Sequence, residues 1–169
     1  MDVETAIRTR RTHKVFGAEP LSVEEIEGLL ELARWAPNHH LTAPWRFRVL
    51  GPEALRQLKE TAGAEGAAKL DRAPTLIVVS CVLSGDPVQD EEDLHATAVA
   101  AYIVLLAAHA RGLAGYWRTP ALLRGEAGRR AVGLAEDERF VGLLHLGPAR
   151  QEKEPPARPP VEQATVFLD

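Results

Sequence analysis

The stretch LHATAVAAYIVLLAAHA, residues 94–110, decides the fold of this chain. Almost every side chain in it is Ala, Val, Leu or Ile. The acidic run at 90–93 is well placed as the first turn of a helix, where negative charge meets the positive end of the helix dipole. A helix that is apolar all round does not face solvent. The pattern therefore predicts a helix buried in the core, and a second copy of the chain is one surface that could cover it.

Three strands are predicted around this helix. The run 75–83 is apolar and β-branched, which is typical of a central strand with both faces covered, and 140–146 has the same character. Trp45, Phe47 and Val49 alternate with arginines, as in a half-buried strand. Buried strands beside a buried helix indicate a sheet covered by helices.

Helices are predicted at four further places, two of which begin at recognisable caps. The predicted helices are residues 3–7 after Asp2, a helix from the Ser22–Glu25 capping box that ends by Pro37, a short helix from Gly51 through Leu58, and residues 121–132. The segment GYWRTP, 115–120, is predicted to be a short connection after the termination of the apolar helix at Arg111 and Gly112.

Composition argues against several classes of protein. The 169 residues, 46% of them hydrophobic, predict one domain over 1–169. A formal net charge of −4 argues against a general binder of nucleic acid or anionic membrane, and one cysteine, Cys81, allows neither an internal disulfide nor a cysteine-rich zinc cluster. The N-terminus is charged where a signal peptide is apolar, and no later run approaches the length of a membrane span. We therefore expect a cytoplasmic protein.

The C-terminal segment, 150–169, differs from the rest of the chain. It is rich in proline and charge, yet it closes with Val166, Phe167 and Leu168. Such a tail is either disordered or an arm that lies on another surface.

The first candidate site is RTRRTHK, residues 8–14, which follows the first helix. Arg10, Arg11, Thr12 and Lys14 offer the planar guanidinium groups, hydroxyl and ammonium that suit a phosphate. The alternative is a solvated basic surface.

The second candidate site is WAPNHHLTAPWRF, residues 35–47. Two prolines stiffen this loop, an asparagine and two histidines offer donors, and Trp45 anchors its exit. The loop could contact a ligand or be purely structural. A metal site at His39 and His40 is disfavoured, because adjacent histidines rarely bind one ion together and no carboxylate stands nearby in sequence.

The third candidate site is GLAGYWRTP, residues 112–120, where glycines precede an aromatic pair, an arginine and a hydroxyl. A planar ring cofactor needs an aromatic or apolar partner and a positive group near its electron-accepting edge, and this segment could supply both. The alternative is a core Trp117 beside a surface Arg118.

Together these segments resemble the nitroreductase family, whose members carry an Arg-Arg-Ser/Thr start, an Ala-Pro…Pro-Trp loop, an alanine-rich helix ending in Gly-Leu-Gly, and a late Leu-Gly strand. RRTHKVF, ARWAPNHHLTAPWRFRVL, HARGLAGYWRTP and VGLLHLGPA fill these places in order. The resemblance spans nearly the whole chain and is closest to the short, minimal members.

The resemblance implies a role for each segment. Residues 10–12 match contacts to the phosphate and ribityl chain of FMN, and Lys14 matches a residue at the pyrimidine side of its ring. Residues 37–39 match a loop that approaches the flavin from the other subunit, 117–119 match the segment along its far edge, and Arg158 resembles a phosphate-binding tail arginine. Trp35 stands where short members tend to carry arginine. The implied cofactor-binding residues are Arg10, Arg11, Thr12, Lys14, Trp35, Pro37, Asn38, His39, Trp117, Arg118, Thr119 and Arg158.

The resemblance also implies the architecture and the reaction. The expected fold is α+β, a three-layer α/β/α arrangement with a mostly antiparallel sheet, in an intertwined homodimer whose arm 150–169 reaches the partner. The expected reaction is ping-pong: NADH or NADPH reduces FMN, which passes hydride to a small nitroaromatic, quinone or enone without a catalytic side chain. The alternatives are a flavin-binding carrier or sensor without turnover, and a metal-binding or purely structural protein.

Overall fold

The computed structural model describes residues 1–152 and 154–168. The helices and strands of this part of the chain are α1 (Val3–Thr9), α2 (Val23–Ala33), β1 (Trp45–Val49), α3 (Pro52–Leu70), β2 (Thr75–Val82), α4 (Pro87–Ala110), β3 (Leu113–Arg118), α5 (Glu126–Ala131) and β4 (Glu138–Pro148). Short 3₁₀ turns lie at His39–Leu41, Ala121–Leu123 and Val161–Ala164.

The four strands form one antiparallel sheet in the order β1-β2-β4-β3. β2 is central and buried along almost its whole length, as its continuous apolar run predicts. At the β3 edge, Thr12 forms an isolated parallel bridge with Gly115, and Phe16 bridges Ala149 beyond the end of β4. The chain after α1 is therefore tied to the sheet at two points.

Helices cover both faces of the sheet. On one face, α2 and α4 pack on Ile77 and Val79 of β2, and on the other face α3 and α5 pack on the alternate residues Leu76 and Val78. This division confirms the expected three-layer α+β architecture.

Helix α4 is long and mostly apolar, and it is only half buried. One face lies in the core, but a stripe that contains His95, Val99, Tyr102 and Leu106 remains accessible, with Val99 40% exposed. By length and composition α4 could cross a membrane, so the expectation that no run approaches that length is wrong. Half of its most apolar window is buried inside the fold, as in the core helix of a globular domain.

Several local predictions are confirmed. The side chain of Asp2 accepts a hydrogen bond from the Thr5 amide at 2.9 Å, which caps α1. Ser22 and Glu25 form both hydrogen bonds of a capping box at the start of α2. These helix starts depend on residues three apart, so the sequence alone is sufficient to place them.

Other boundaries differ from the predictions. α3 is longer than predicted: Gly63, at φ +62, interrupts it with a kink, and a second helical piece continues to Leu70. The predicted helix 121–132 is a 3₁₀ turn and then a short helix that begins after Gly125. The predicted connection 115–120 instead lies mostly in strand β3, which exists because it pairs with β4.

The acidic run at 90–93 is not the start of α4. The N-cap is Asp86, whose side chain accepts hydrogen bonds from the amides of Val88 and Gln89. Asp90 belongs to the first turn, where it accepts a hydrogen bond from the Ser84 amide, whereas Asp93 lies one turn later and is buried. The run therefore serves several contacts rather than the helix dipole alone.

The tail is exposed along its described length. Val166, Phe167 and Leu168 are 81%, 94% and 90% exposed, and the 3₁₀ turn at Val161–Ala164 is its one named element in the described part. The predicted arm also included Lys153 and Asp169, which lie outside the described residues.

Candidate functional site

The basic segment, residues 8–14, lies along the open edge of β3. The amide of His13 donates to the carbonyl of Gly115 at 3.1 Å, next to the Thr12–Gly115 bridge. Thr12 and Lys14 are exposed, whereas His13 between them is buried. Alternation in an extended segment thus places the hydroxyl and the ammonium on the outer side.

The side chain of Arg10 has a hydrogen-bond donor that no described residue satisfies. Its guanidinium lies 5.6 Å from the centre of the Tyr102 ring on α4, in cation–π contact. Its Nε atom is buried and has no hydrogen-bond partner among the described residues. A buried N–H without an acceptor destabilises a protein by about 1–3 kcal/mol, so this position favours an anion that would accept the bond.

Arg11 joins the basic segment to the tail. Its guanidinium donates to the carbonyls of Arg8 at 2.7 Å and Arg10 at 2.5 Å, and its Nε donates to the carbonyl of Glu154 at 3.4 Å. A groove of about 460 Å³ lies between this segment and the tail. It is lined by Ile7, Arg8, Thr9, Arg11, Pro155, Pro156 and Arg158. The structure thus brings Arg158 close to Arg8 and Arg11, and three arginines surround one groove.

His109, near the end of α4, contacts the basic segment at Thr9. Its Nε2 lies 2.8 Å from Thr9 Oγ1. Burial, together with the charges of Arg10 and Arg11, lowers the pKa of His109. The positive charge here therefore belongs to the arginines, and His109 contributes as a neutral hydrogen-bonding group.

The polar loop, residues 38–43, is held by hydrogen bonds to itself and to α4. Asn38 Oδ1 accepts from the amide of Ala43 at 2.9 Å, which closes the loop. Thr42 Oγ1 lies 2.6 Å from Asp93 Oδ1, and His39 Nδ1 lies 2.7 Å from Glu92 Oε2. The loop is therefore fixed to the N-terminal half of α4.

A shallow hollow beside this loop collects three of the candidate residues. It measures about 430 Å³ and is lined by Pro37, Asn38, His39, Glu92, His95, Ala96 and Val99. Trp35 is 77% exposed in the turn after α2 and does not line the hollow. Of the loop candidates, the structure therefore brings together 37–39 but not Trp35.

The candidates on β3 and just beyond it point in different directions. The indole of Trp117 packs over Gly142 and donates to the carbonyl of Val141 at 3.3 Å. A Cβ atom at position 142 would come within 2.0 Å of the indole nitrogen, so glycine is required there. Arg118 points to the other face of the sheet and donates to the carbonyl of Lys69 at 3.3 Å, and Thr119 is exposed.

Contacts along helix α4 show how far the polar loop lies from the basic segment. The polar loop contacts α4 at Glu92, whereas Arg10 lies over Tyr102 and Thr9 contacts His109. At a rise of 1.5 Å per residue, these points are about 15 Å and 25 Å from the loop contact. One copy of the chain does not bring residues 37–39 to the basic segment.

The sequence predicts α4 as a buried helix that a second copy could cover, but it does not single out the residues of α4 that contact the polar loop and the basic segment. His95, Tyr102 and His109 interrupt the apolar run at intervals of seven residues, and this spacing places them on one face of a helix. Polar and aromatic side chains on one stripe of an apolar helix were the available signal. The burial of Asp93 has no comparable signal.

A metal site finds no support in the described part of the chain. No group of three or more His, Cys, Asp or Glu side chains there could hold a metal ion. The rings of His39 and His40 stack at 3.8 Å, and Nδ1 of His39 faces Glu92.

Comparison with known proteins agrees with the fold and the motifs. Residues 7–69 match the model of the nitroreductase family. A Haemophilus influenzae protein, provisionally named an NAD(P)H nitroreductase, is 30% identical over 169 residues, which cover 91% of this chain and 92% of that protein.

Two solved structures share the architecture. A nitroreductase-like family protein from Bacillus cereus superposes with a TM-score of 0.89 at 25% identity, over 100% of this chain and 97% of that one. A Desulfovibrio desulfuricans protein solved in complex with FMN has a TM-score of 0.80 at 24% identity, over 99% and 96% of the two chains. With the relative from H. influenzae matched over almost its full length, the chain belongs to the nitroreductase family.

Proposed function

We propose that this protein is an FMN-dependent oxidoreductase that uses NADH or NADPH to reduce a small organic acceptor, at a site shared by two copies of the chain. The observation that carries the proposal is the buried, unpartnered Nε of Arg10. The residues before and after it, Thr9 and Arg11, line a groove together with Arg8 and Arg158. The Arg10 Nε–H has no acceptor among the described residues, and a terminal phosphate of FMN is an anion that would accept this bond.

The choice of FMN over FAD follows from the same residues. The arginines suit one terminal phosphate group, and the sequence has no GxGxxG turn of the kind that binds a pyrophosphate. The H. influenzae relative is named for NAD(P)H and the D. desulfuricans structure contains FMN, which supports the assignment.

The residues of this chain hold and orient the cofactor. Arg10, Arg11 and Thr12 bind the phosphate and ribityl chain, with Arg10 supported by the ring of Tyr102, and Lys14 faces the pyrimidine side of the flavin. Arg158 adds charge from the tail. When bound, FMN accepts a hydride from NADH or NADPH and delivers it to the acceptor, so no side chain has to act as nucleophile.

Two further segments complete the proposed site. Trp117 and Thr119 lie along the far edge of the flavin, where the half-buried indole of Trp117 provides a rigid wall, whereas the side chain of Arg118 points to the other face of the sheet. Pro37, Asn38 and His39 approach the flavin from the second chain. Trp35 is exposed beyond the hollow, and its contact with the cofactor stays a prediction.

A second chain is proposed because of the accessible stripe on α4. If two copies pair antiparallel along this stripe with the two-fold axis at Val99, position 92 of one chain lies opposite position 106 of the other. Position 106 is between Tyr102 and His109, the residues that contact Arg10 and Thr9. Such pairing covers apolar surface and brings the polar loop of one copy to the basic segment of the other.

The acceptor is proposed at the level of class: a nitroaromatic, a quinone or an enone. These molecules are planar and electron-poor, and they can stack on a flavin ring in a hydride-transfer geometry. We also expect a cytoplasmic location, on the grounds of the sequence.

The experiment is to purify the protein, measure its visible absorption and identify the heat-released chromophore by mass spectrometry. We expect FMN, and steady consumption of NADH or NADPH when an acceptor is added. FAD, or no flavin after reconstitution, contradicts the cofactor assignment. Bound FMN without steady consumption of either nicotinamide would instead identify a carrier or sensor.

A further inference from the structure

The polar loop has an unusual backbone. His40, Leu41 and Ala43 have φ values of 54°, 53° and 45°, and they are the only non-glycine residues with positive φ in the described part of the chain. L-amino acids avoid this region because Cβ approaches the backbone carbonyl, so three such residues within four positions store strain. Contacts elsewhere must hold the loop in this shape.

One of those contacts reaches into the core. Thr42 lies between the strained residues, and its hydroxyl is 2.6 Å from Oδ1 of Asp93. Asp93 is on α4 and is only 3% exposed. A short hydrogen bond to a buried carboxyl group fixes the loop to a rigid helix, whereas Asn38 closes the loop only upon itself.

The strained conformation presents side chains outward. Leu41 is 86% exposed, and His39 is placed by the contact of its Nδ1 with Glu92. An apolar side chain that is held in solvent on a strained backbone gains nothing within its own chain. Strain of this kind persists where it is used in function.

We propose that Asp93 is a positioning residue for the active site: through Thr42 it holds the polar loop in the shape that meets the flavin of the second chain. This inference rests on the proposed function. Asp93 itself is buried and does not touch the cofactor. Its effect passes through the loop, so its loss should weaken cofactor binding more than it weakens the fold.

The test uses variants that separate positioning from stability. In Thr42→Val/Asp93→Leu, both partners are replaced by apolar groups of similar shape, so neither partner is left buried without the other. Thr42→Ser keeps the hydroxyl and is the matched control. If the double variant does not fold, Thr42→Val alone is measured in its place.

Three quantities are measured: the FMN affinity of the apoprotein by fluorescence quenching, the amide hydrogen exchange of residues 38–43, and the thermal midpoint. In the double variant we expect FMN to bind about five- to tenfold more weakly, the amides of 38–43 to exchange faster, and the thermal midpoint to stay near that of the original protein. Thr42→Ser should match the original protein in all three quantities.

Two results overturn the inference in different ways. Unchanged FMN affinity in the double variant, or in Thr42→Val if that is the one that folds, shows that the Thr42–Asp93 contact is only structural and leaves the proposed function intact. An original protein that binds no FMN after reconstitution removes the proposed function and this inference with it.

Discussion

The basic segment and the polar loop belong to one proposed site, yet they differ in whether their side chains already have hydrogen-bond partners. In the polar loop, the side chains of Asn38, His39 and Thr42 have partners within the chain. In the basic segment, Arg10 Nε is buried without a partner among the described residues. The loop therefore acts through its shape, which the fold already fixes, whereas the basic segment acts through charge and needs an anion to complete it.

The largest effect is expected from Arg10→Ala/Arg11→Ala. Each lost charge-assisted contact costs about 1.5–3 kcal/mol of binding, so FMN should bind more than about 100-fold more weakly. Folding should change little. Isothermal titration of the apoprotein measures the affinity, and Arg56→Ala/Arg130→Ala, which removes two exposed arginines paired with Glu53 and Glu126, is the control for net charge. Original affinity in the double variant would mean that the segment is only a solvated surface.

The second prediction concerns a buried side chain that lacks hydrogen-bond partners, as Arg10 does, but is not accessible to a ligand. His145 on β4 is fully buried, both ring nitrogens lack a partner in the described part of the chain, and burial, with the charges of Arg118 and Arg72, lowers its pKa to about 3. The unfolded chain therefore binds this proton between pH 6.5 and pH 3 while the folded chain does not, so stability falls as pH falls through that window.

His145→Leu tests this prediction. Over the same window, the free energy of unfolding of the original protein should fall by up to about 4 kcal/mol more than that of the variant. Urea titrations at a series of pH values measure the difference. FMN affinity at pH 7 should be unchanged, because His145 is buried apart from the arginine groove. Parallel pH profiles would show that His145 takes up its proton in the folded protein as readily as in the unfolded chain, which contradicts the lowered pKa.

The smallest effect is expected from relief of strain in the polar loop. Ala43→Gly removes the cost of φ 45°, which offsets the entropy that glycine adds to the unfolded chain, so the free energy of unfolding should stay constant or rise by up to about 1 kcal/mol. Ala67→Gly in α3, where the backbone is helical, should lower it by about 0.5–1 kcal/mol. Equal losses in the two variants would contradict the strained backbone.

Local signals made much of the fold predictable. The Ser22–Glu25 capping box, the alternation over 45–49 and the apolar run of β2 each depend on neighbours within a few residues. Strand β3 was not predictable in this way, because its sequence has a glycine and no clear alternation and it becomes a strand by pairing with β4.

The segments that form the proposed site were predictable from the sequence, but their arrangement in space was not. The motifs located the basic segment and the polar loop. The structure places Arg158 beside the basic segment, and its contact with a phosphate stays a prediction. The separation of the two segments along α4 and the burial of Asp93 depend on tertiary packing, which no spacing in the sequence reports. The positive φ values of the loop likewise arise from contacts with a distant helix.

The central claim is that each site takes the basic segment from one chain and the polar loop from the other. Arg10→Ala and His39→Ala, each inactive as a homodimer, are co-expressed with different tags so that the mixed dimer can be isolated. If sites are shared, one site of the mixed dimer carries both substitutions and the other carries none, so half of the flavin content and activity should return. A mixed dimer as inactive as its parents, or a protein that sediments as an active monomer, would contradict the account.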